Sequence, residues 1–160
     1  MKVDTTRFGV LEVDESSMLK MPKGLLGFEN RTEFVLIQHR PDTAFRWLQS
    51  REDPDLAFVV VDPSDFYCDY AIEISDADAG ALDLTSEKDA LVMAIVTISN
   101  QGKEVTANLA APIVMNSKEL RGMQIILQDN RYGVKHPLVE QRQVESDNAN
   151  TDLQSAAKAA

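Results

Sequence analysis

Few side chains in this sequence could carry out catalysis. The 160 residues include one cysteine, Cys68, and two histidines, His39 and His136, so no cluster with the spacing of a zinc site is present. No serine stands in the turn of a hydrolase nucleophile, and neither a dinucleotide-binding fingerprint nor a Walker loop occurs. We therefore expect no catalytic residues, no metal site and no cofactor.

Carboxylates are abundant, but their spacing singles out no catalytic pair. The chain has 26 acidic and 16 basic residues, which gives a net charge of -10. Because proteins that bind a phosphate backbone need a basic surface, direct binding to nucleic acid is not expected. The charge suits a basic protein partner, and it equally suits simple solubility.

Two short segments have some features of ion-binding loops. Residues 75–82 carry acids at a predicted helix start but lack the ligand spacing and closing glutamate of a calcium loop, so we predict only a helical turn. In residues 23–28 the lysine precedes the glycines and no helix signal follows, which argues against a phosphate loop. We expect Leu25, Leu26 and Phe28 to plug one end of a sheet or barrel.

A hairpin at residues 45–63 is the element around which the chain is organised. Residues 45–49 alternate large and polar side chains, residues 56–61 are continuously apolar, and an acidic turn with Pro54 lies between them. Because proline fixes φ and carboxylates suit a solvated turn, this pattern predicts two antiparallel strands.

Similar short runs, separated by Gly, Pro, Asp and Asn, continue along the chain and favour an all-β fold. Further strands are predicted at residues 3–8, 10–13, 18–22, 33–38, 70–74, 90–98 and 122–128, with a break or a sheet edge at Pro112. The run 90–98 also fits a short buried helix. We predict a mainly antiparallel, compact, barrel-like β-domain with at most one or two short helical turns.

Aromatic and acidic residues are mixed at residues 63–70, and two interpretations stand. Phe66 and Tyr67 could form a recognition patch, in which Asp65 and Asp69 select a basic partner. Alternatively, Phe66 and Tyr70 anchor the loop in the core while the acids face water. Residue types alone do not decide between the two.

The pattern of apolar runs ends at Leu138. Residues 139–160 are rich in Glu, Gln, Asn, Ser and Ala and contain no aromatic residue, so they cannot bury enough area to offset the entropy of ordering. We expect one β-domain at 1–138 and a polar C-terminal tail at 139–160 that is disordered or partly helical. No run of about 18 apolar residues and no signal peptide occurs, so we expect a cytoplasmic protein without a membrane span.

Several of these stretches together resemble the FliW family of bacterial flagellar assembly factors. The matching motifs are Met21-Pro22 with residues 23–29, residues 34–36, 48–50, 53–54, 56–63, 96–98, 106–109 and 111–114 with Asn116, the pair Gln124-Ile125, and the closing His136-Pro137-Leu138. In this order they extend over residues 1–138. Two positions depart from the family pattern, Met21 where phenylalanine is expected and Lys135 where arginine is expected.

The resemblance implies a barrel-like β-fold without catalysis, and a switch between two protein partners. Members of the family are understood to bind the RNA-binding regulator CsrA and so to relieve its repression of flagellin translation. They also bind flagellin, whose export releases the factor. The acidic charge then has a target, because CsrA must present a basic surface to RNA. Direct occupation of that surface and a coupling free energy from a neighbouring site would both relieve repression, and the family's description as noncompetitive favours the second.

Given such a partner, acids beside semi-exposed apolar residues become the predicted partner-binding residues. They are Glu52, Asp53, Asp55, Asp62, Asp65, Phe66, Tyr67 and Asp69, with Phe66 and Tyr67 as apolar anchors. A groove for flagellin is not located, and the free protein is expected to be monomeric. The alternative is a small carboxylate-based hydrolase or carbohydrate-binding β-barrel, which would need two convergent acids in a deep pocket.

Overall fold

A computed structural model describes residues 1–128 and 131–138, so the predicted tail at 139–160 lies outside the described residues. The described part contains eleven β-strands: β1 (Lys2–Thr5), β2 (Gly9–Glu12), β3 (Leu19–Lys20), β4 (Glu33–Ile37), β5 (Arg46–Ser50), β6 (Ala57–Val61), β7 (Ala90–Ser99), β8 (Glu104–Ala107), β9 (Ile113–Asn116), β10 (Arg121–Gln124) and β11 (His136–Pro137). It also contains one α-helix, α1 (Asp76–Ala81), and three 3-10 helices, Glu15–Ser17, Pro63–Asp65 and Glu87–Asp89.

Seven strands close into a ring in the order β7, β6, β5, β4, β3, β10, β9 and back to β7. Closure depends on the length of β7. Its N-terminal half pairs with β9, from Ala90 opposite Asn116 to Met93 opposite Ile113, while its C-terminal half pairs with β6 and β8. All pairings in the ring are antiparallel except that of β3 with β10. The predicted mainly antiparallel, barrel-like fold is confirmed, and residues 90–98 form a strand, not a helix.

The hairpin of β5 and β6 forms as predicted and lies between two apolar clusters. Val60 is buried in a cluster with Leu48 and Phe34, whereas Val59 and Val61 are buried in a second cluster on the opposite face. Because successive residues of a strand face opposite ways, a strand covered on both sides needs an unbroken apolar sequence. This requirement explains the continuous apolar run of β6.

The strand predicted at residues 70–74 is wrong. Its side chains do alternate, since Ile72 and Ile74 are half-buried against a cluster around Leu82 and Val114 while Ala71 and Glu73 are exposed. No neighbouring strand pairs with this backbone among the described residues. Alternating apolar and polar residues indicate that one face of the segment is buried. They do not indicate whether another strand pairs with its backbone.

The predicted plug at residues 25–28 is only partly correct. Leu25 is buried, but Leu26 and Phe28 are 52% and 38% exposed, and the ring of Phe28 rests on Phe58 with centroids 5.2 Å apart. Gly24 has a φ of +65°, and a Cβ there would lie 2.4 Å from the carbonyl oxygen of Phe28. This loop therefore buries the side chain of Leu25 in the core and leaves those of Leu26 and Phe28 at the surface.

Candidate functional site

Glu52, the first predicted acid, is part of the framework that holds the β5–β6 turn. Its carboxylate accepts hydrogen bonds from the backbone N–H groups of Thr32, at 2.7 Å, and Glu33, at 2.8 Å. Desolvation opposes ionisation, but these bonds and the Thr32 hydroxyl together hold the pKa of Glu52 below its usual range. The carboxylate of Glu52 thereby fixes the turn to the start of β4.

Asp53 and Asp55 also have partners inside the protein. Asp53 Oδ2 lies 3.7 Å from Nη2 of Arg31, and Asp53 Oδ1 accepts a hydrogen bond from the N–H of Asp55 at 3.0 Å. The carboxylate of Asp55 accepts a hydrogen bond from the hydroxyl of Thr6. The backbone N–H of Thr6 donates to the Pro54 carbonyl at 3.0 Å. The carboxylates of Glu52, Asp53 and Asp55 are here called the turn acids. They hold the turn against the start of β4 and against Thr6, which lies between the paired strands β1 and β2.

The remaining predicted residues follow β6. Asp62 caps the 3-10 helix Pro63–Asp65, because its Oδ1 accepts hydrogen bonds from the N–H and the hydroxyl of Ser64 at 2.9 and 2.7 Å. Asp65 is half-buried and Asp69 is exposed. Phe66 is buried, with its ring 5.9 Å from that of Phe45, so it packs in the core and presents little surface to a partner.

The two groups of acids lie at opposite ends of β6. This strand runs from Ala57 to Val61, and a rise of about 3.3 Å per residue places Asp55 and Asp62 roughly 20 Å apart. The structure therefore does not bring the eight predicted residues into one site. Asp62, Asp65, Tyr67 and Asp69 form one region, and the turn acids form another.

Aromatic rings from the end of the described chain extend the region around Tyr67. The half-buried Tyr67 ring lies edge-on to His136, with centroids 4.9 Å apart, and its hydroxyl donates to the Pro137 carbonyl. His136 is 6.3 Å from Tyr132, which packs on Tyr70 at 4.6 Å. We define the acidic aromatic surface by six residues: Asp62, Asp65, Tyr67, Asp69, Tyr132 and His136.

Sequence reasoning missed Tyr132 and His136 as members of this surface. It named His136 as a histidine and as part of the closing His-Pro-Leu motif, and that motif was a signal that this segment matters. Tyr70 lies beneath the surface, where its hydroxyl donates to the Leu109 carbonyl at 2.8 Å. Burial, and secondarily the neighbouring Tyr132, raise the pKa of Tyr70.

A carboxylate-based hydrolase would need two convergent acids in a pocket. Two grooves contain carboxylates, Glu73 and Asp78 in one and Glu73 and Glu87 in the other. A glycosidase needs an acid whose pKa is raised. The pKa is lowered for Asp14 and for Glu52, and neither residue lines these grooves. For Asp14 the cause is hydrogen bonding by the N–H and side chain of Ser16.

The described residues form no metal-binding cluster and no membrane-spanning helix. Among residues 1–128 and 131–138, no three His, Cys, Asp or Glu side chains are grouped so as to hold a metal ion. The one α-helix found there, α1, has six residues, and no helix in this described part has the length and hydropathy to span a bilayer.

Comparison with known proteins identifies relatives along most of the chain. The family model described as FliW protein matches residues 2–138. The flagellar assembly factor FliW of Geobacter sulfurreducens is 39% identical over 141 residues, covering 88% of this chain and 88% of the relative. That of Leptospira biflexa is 40% identical over 139 residues, covering 86% and 91%.

A solved structure agrees with these sequence relationships. The crystal structure of a flagellar assembly factor FliW matches the fold with a TM-score of 0.81 at 34% sequence identity, covering 89% of this chain and 99% of that chain. Family model, relatives and fold agree over the same residues, and the chain belongs to the FliW family.

Proposed function

We propose that this chain is a non-enzymatic flagellar assembly factor that binds and antagonises CsrA and also binds flagellin, so that flagellin synthesis is coupled to export. The first part is supported by membership of the FliW family and by the name its relatives carry. The acidic aromatic surface is the observation that supports a basic protein partner. We propose further that the free protein is a monomer and acts in the cytoplasm.

The acidic aromatic surface has the chemistry that a basic partner requires. Asp69 is exposed, and Asp62 keeps one carboxylate oxygen that no hydrogen bond uses among the described residues. Rim charges of this kind speed association and set salt dependence, whereas a desolvated aromatic ring contributes more of the affinity. Tyr67 is the half-buried ring beside these acids, so it is the proposed anchor.

The turn acids are weaker candidates for the same interface. Their carboxylates already accept hydrogen bonds or face Arg31, and a partner would have to compete with these contacts. Because the two groups of acids are roughly 20 Å apart along β6, a partner that covers one group need not cover the other. We therefore assign CsrA to the acidic aromatic surface.

Antagonism through a coupling free energy has a measurable signature. If this protein lowers the affinity of CsrA for RNA by some factor, bound RNA must lower the affinity of CsrA for this protein by the same factor. Saturating amounts of this protein would then leave a weaker but finite RNA affinity. Direct competition would instead weaken RNA binding without limit as the concentration of this protein rises.

Titration calorimetry of the purified full-length chain with CsrA at low ionic strength tests the proposal. Asp69→Lys should weaken binding by about threefold to tenfold, and Tyr67→Ala by about thirtyfold, which corresponds to about 2 kcal/mol. Glu119→Lys is the matched control, because Glu119 is exposed and gives the same change in net charge at another site. Absence of CsrA binding by the unaltered protein, or equal effects of the two lysine variants, would contradict the assignment.

Flagellin binding is tested separately. The purified chain, immobilised at low ionic strength, should retain flagellin monomers from solution, and free flagellin should release CsrA if one partner displaces the other. Light scattering of the free chain should give the mass of one 17.8 kDa copy. Failure to retain flagellin would remove the link to export while leaving CsrA binding to be judged by calorimetry.

A further inference from the structure

Residues 71–74 form an extended segment whose backbone pairs with no other described residue. Within the described residues, none of their N–H or C=O groups takes part in a hydrogen bond. Ile72 and Ile74 face the apolar cluster around Leu82, and Ala71 and Glu73 are exposed. The segment therefore has the side-chain alternation of a β-strand and the free main-chain groups of a sheet edge.

A second edge that no described residue pairs with follows β10. The N–H groups of Ile125 and Leu127 donate to the carbonyls of Pro112 and Ala110 at 2.9 and 2.8 Å. Successive residues of an extended chain direct their main-chain groups to opposite sides, so those of Ile126 face away from residues 110–112. Ile126 makes no main-chain hydrogen bond among the described residues, and its side chain is 62% exposed.

These two segments are the walls of one groove. A volume of about 630 Å³ lies between residues 71–75 on one side and 125–128 on the other, with Asp78 and Arg131 also lining it. Ile72, Ile74 and Ile125 belong to the same apolar cluster, so the groove combines apolar side chains with two main-chain edges.

The main-chain groups of residues 71–74 and Ile126, which line this groove, have no hydrogen-bond partner among the described residues, and this property bears on the kind of ligand. A helix satisfies its own N–H and C=O groups along its length and has none to offer to a groove wall. An extended peptide offers donors and acceptors on both sides, and its alternate side chains can enter an apolar floor. The unpaired main-chain groups on both segments therefore favour an extended peptide over a helix.

We propose that this groove binds an extended segment of a partner protein by β-strand addition, with apolar β-branched residues alternating with lysine or arginine. The basic residues follow from charge, because Glu73 and Asp78 line the groove without a cationic partner among the described residues and the chain has a net charge of -10. Arg131 also lines the groove, so two acids and one base are present there and the acids are in excess.

The chain's own C-terminal residues complement the charge of this groove less well than a basic segment would. Residues 139–160 contain four acids, Glu140, Glu145, Asp147 and Asp152, and two bases, Arg142 and Lys158, for a net charge of -2. The proposal goes beyond the proposed function, since it specifies a binding mode and a segment chemistry and does not require that the partner be CsrA or flagellin.

The probe is a fluorescein-labelled octapeptide in which valine and lysine alternate, titrated with the full-length chain at low ionic strength and followed by anisotropy. A peptide N-methylated at alternate residues has the same charge and side chains but lacks the donors of one edge. Because both walls should engage the peptide, methylation on either edge should weaken binding by about tenfold or more. Equal affinity for the methylated peptides would show nonspecific attraction to an acidic protein and overturn the proposal.

Protein variants locate the interaction. Ile126→Pro removes an N–H that donates to no described residue, and should weaken peptide binding by about tenfold. Ile126→Ala keeps that N–H and should have a smaller effect. Val10→Ala is the remote control, since Val10 is also 62% exposed but lies on β2. Unchanged binding by a folded Ile126→Pro variant would contradict the proposed site.

Hydrogen exchange of the unaltered chain decides the question even if Ile126→Pro does not fold. The amide of Ile126 should exchange rapidly in the free protein and slow markedly when the octapeptide is bound. Rapid exchange in the peptide-saturated protein would overturn the proposal. Slow exchange in the free full-length chain would also overturn it, because the groove would then already be occupied by the chain itself.

Discussion

The carboxylate of Glu52 lies 2.7 Å from the backbone nitrogen of Thr32, twenty residues earlier in the chain, and accepts its hydrogen bond. Arg51 reinforces this connection, since its guanidinium pairs with the Glu33 carboxylate and its N–H donates to the Glu33 carbonyl at 3.0 Å. The turn between β5 and β6 is thereby fixed to the start of β4. The acidity of this turn is explained by its own framework before any partner is invoked.

Removing the Glu52 carboxylate should destabilise the fold moderately. Glu52→Ala deprives two backbone N–H groups of their acceptor at a solvent-accessible position, so we expect a loss of about 1 kcal/mol in the free energy of unfolding. Asp42→Ala is the control, because the exposed Asp42 should tolerate substitution within about 0.5 kcal/mol. Urea denaturation measures both values, and similar losses in the two variants would contradict the role assigned to Glu52.

The same carboxylate should make stability depend on pH in the acid range. The pKa of Glu52 is lowered in the folded state, so its contribution is present above the unfolded value of about 4.3 and is lost as the pH falls through the folded value. The difference in unfolding free energy between the unaltered protein and Glu52→Gln should therefore shrink as the pH falls below 4. Urea titrations at several acidic pH values measure this difference, and a constant difference would refute the linkage.

Most of the central hairpin could be predicted from sequence because its signals are local. Residues 45–63 contain both strand patterns and the turn between them. Closure of the barrel depends instead on the two halves of β7 choosing different partners and on the parallel contact of β3 with β10. These pairings join segments that are far apart in the chain, so no local sequence pattern predicts them.

The grouping of the candidate site residues could also not be predicted from local sequence. Closeness in sequence suggested that acids from Glu52 to Asp69 share one face, but an extended strand of five residues separates its two ends by its own length. His136 meets Tyr67 across 69 positions of sequence. Composition and family resemblance could predict that acidic residues bind a partner. The placement of His136 beside Tyr67 depends on the pairing of β11 with β8, which local sequence does not show.

Alanine at Gly24 should be far more harmful than alanine at Gly27. Both glycines have positive φ, which costs an alanine about 1–2 kcal/mol. A Cβ at Gly24 would also lie 2.4 Å from the Phe28 carbonyl oxygen, whereas nothing lies within 4 Å of one at Gly27. Thermal unfolding of Gly24→Ala and Gly27→Ala should show the larger loss for the first, and equal losses would mean that this loop relaxes freely.

Tyr70 should make the protein lose stability in alkaline solution. Burial, with Tyr132 as the second cause, raises the pKa of Tyr70, so the folded state retains a proton that the unfolded state releases near pH 10. The contribution is fully present below that pH and declines above it. Tyr70→Phe also removes the hydrogen bond to the Leu109 carbonyl, which should cost about 1 kcal/mol at neutral pH, but its unfolding free energy should fall less steeply between about pH 9 and 11. Denaturation across this range measures both slopes, and parallel slopes would show that the Tyr70 phenol ionises as readily in the folded protein as in the unfolded chain.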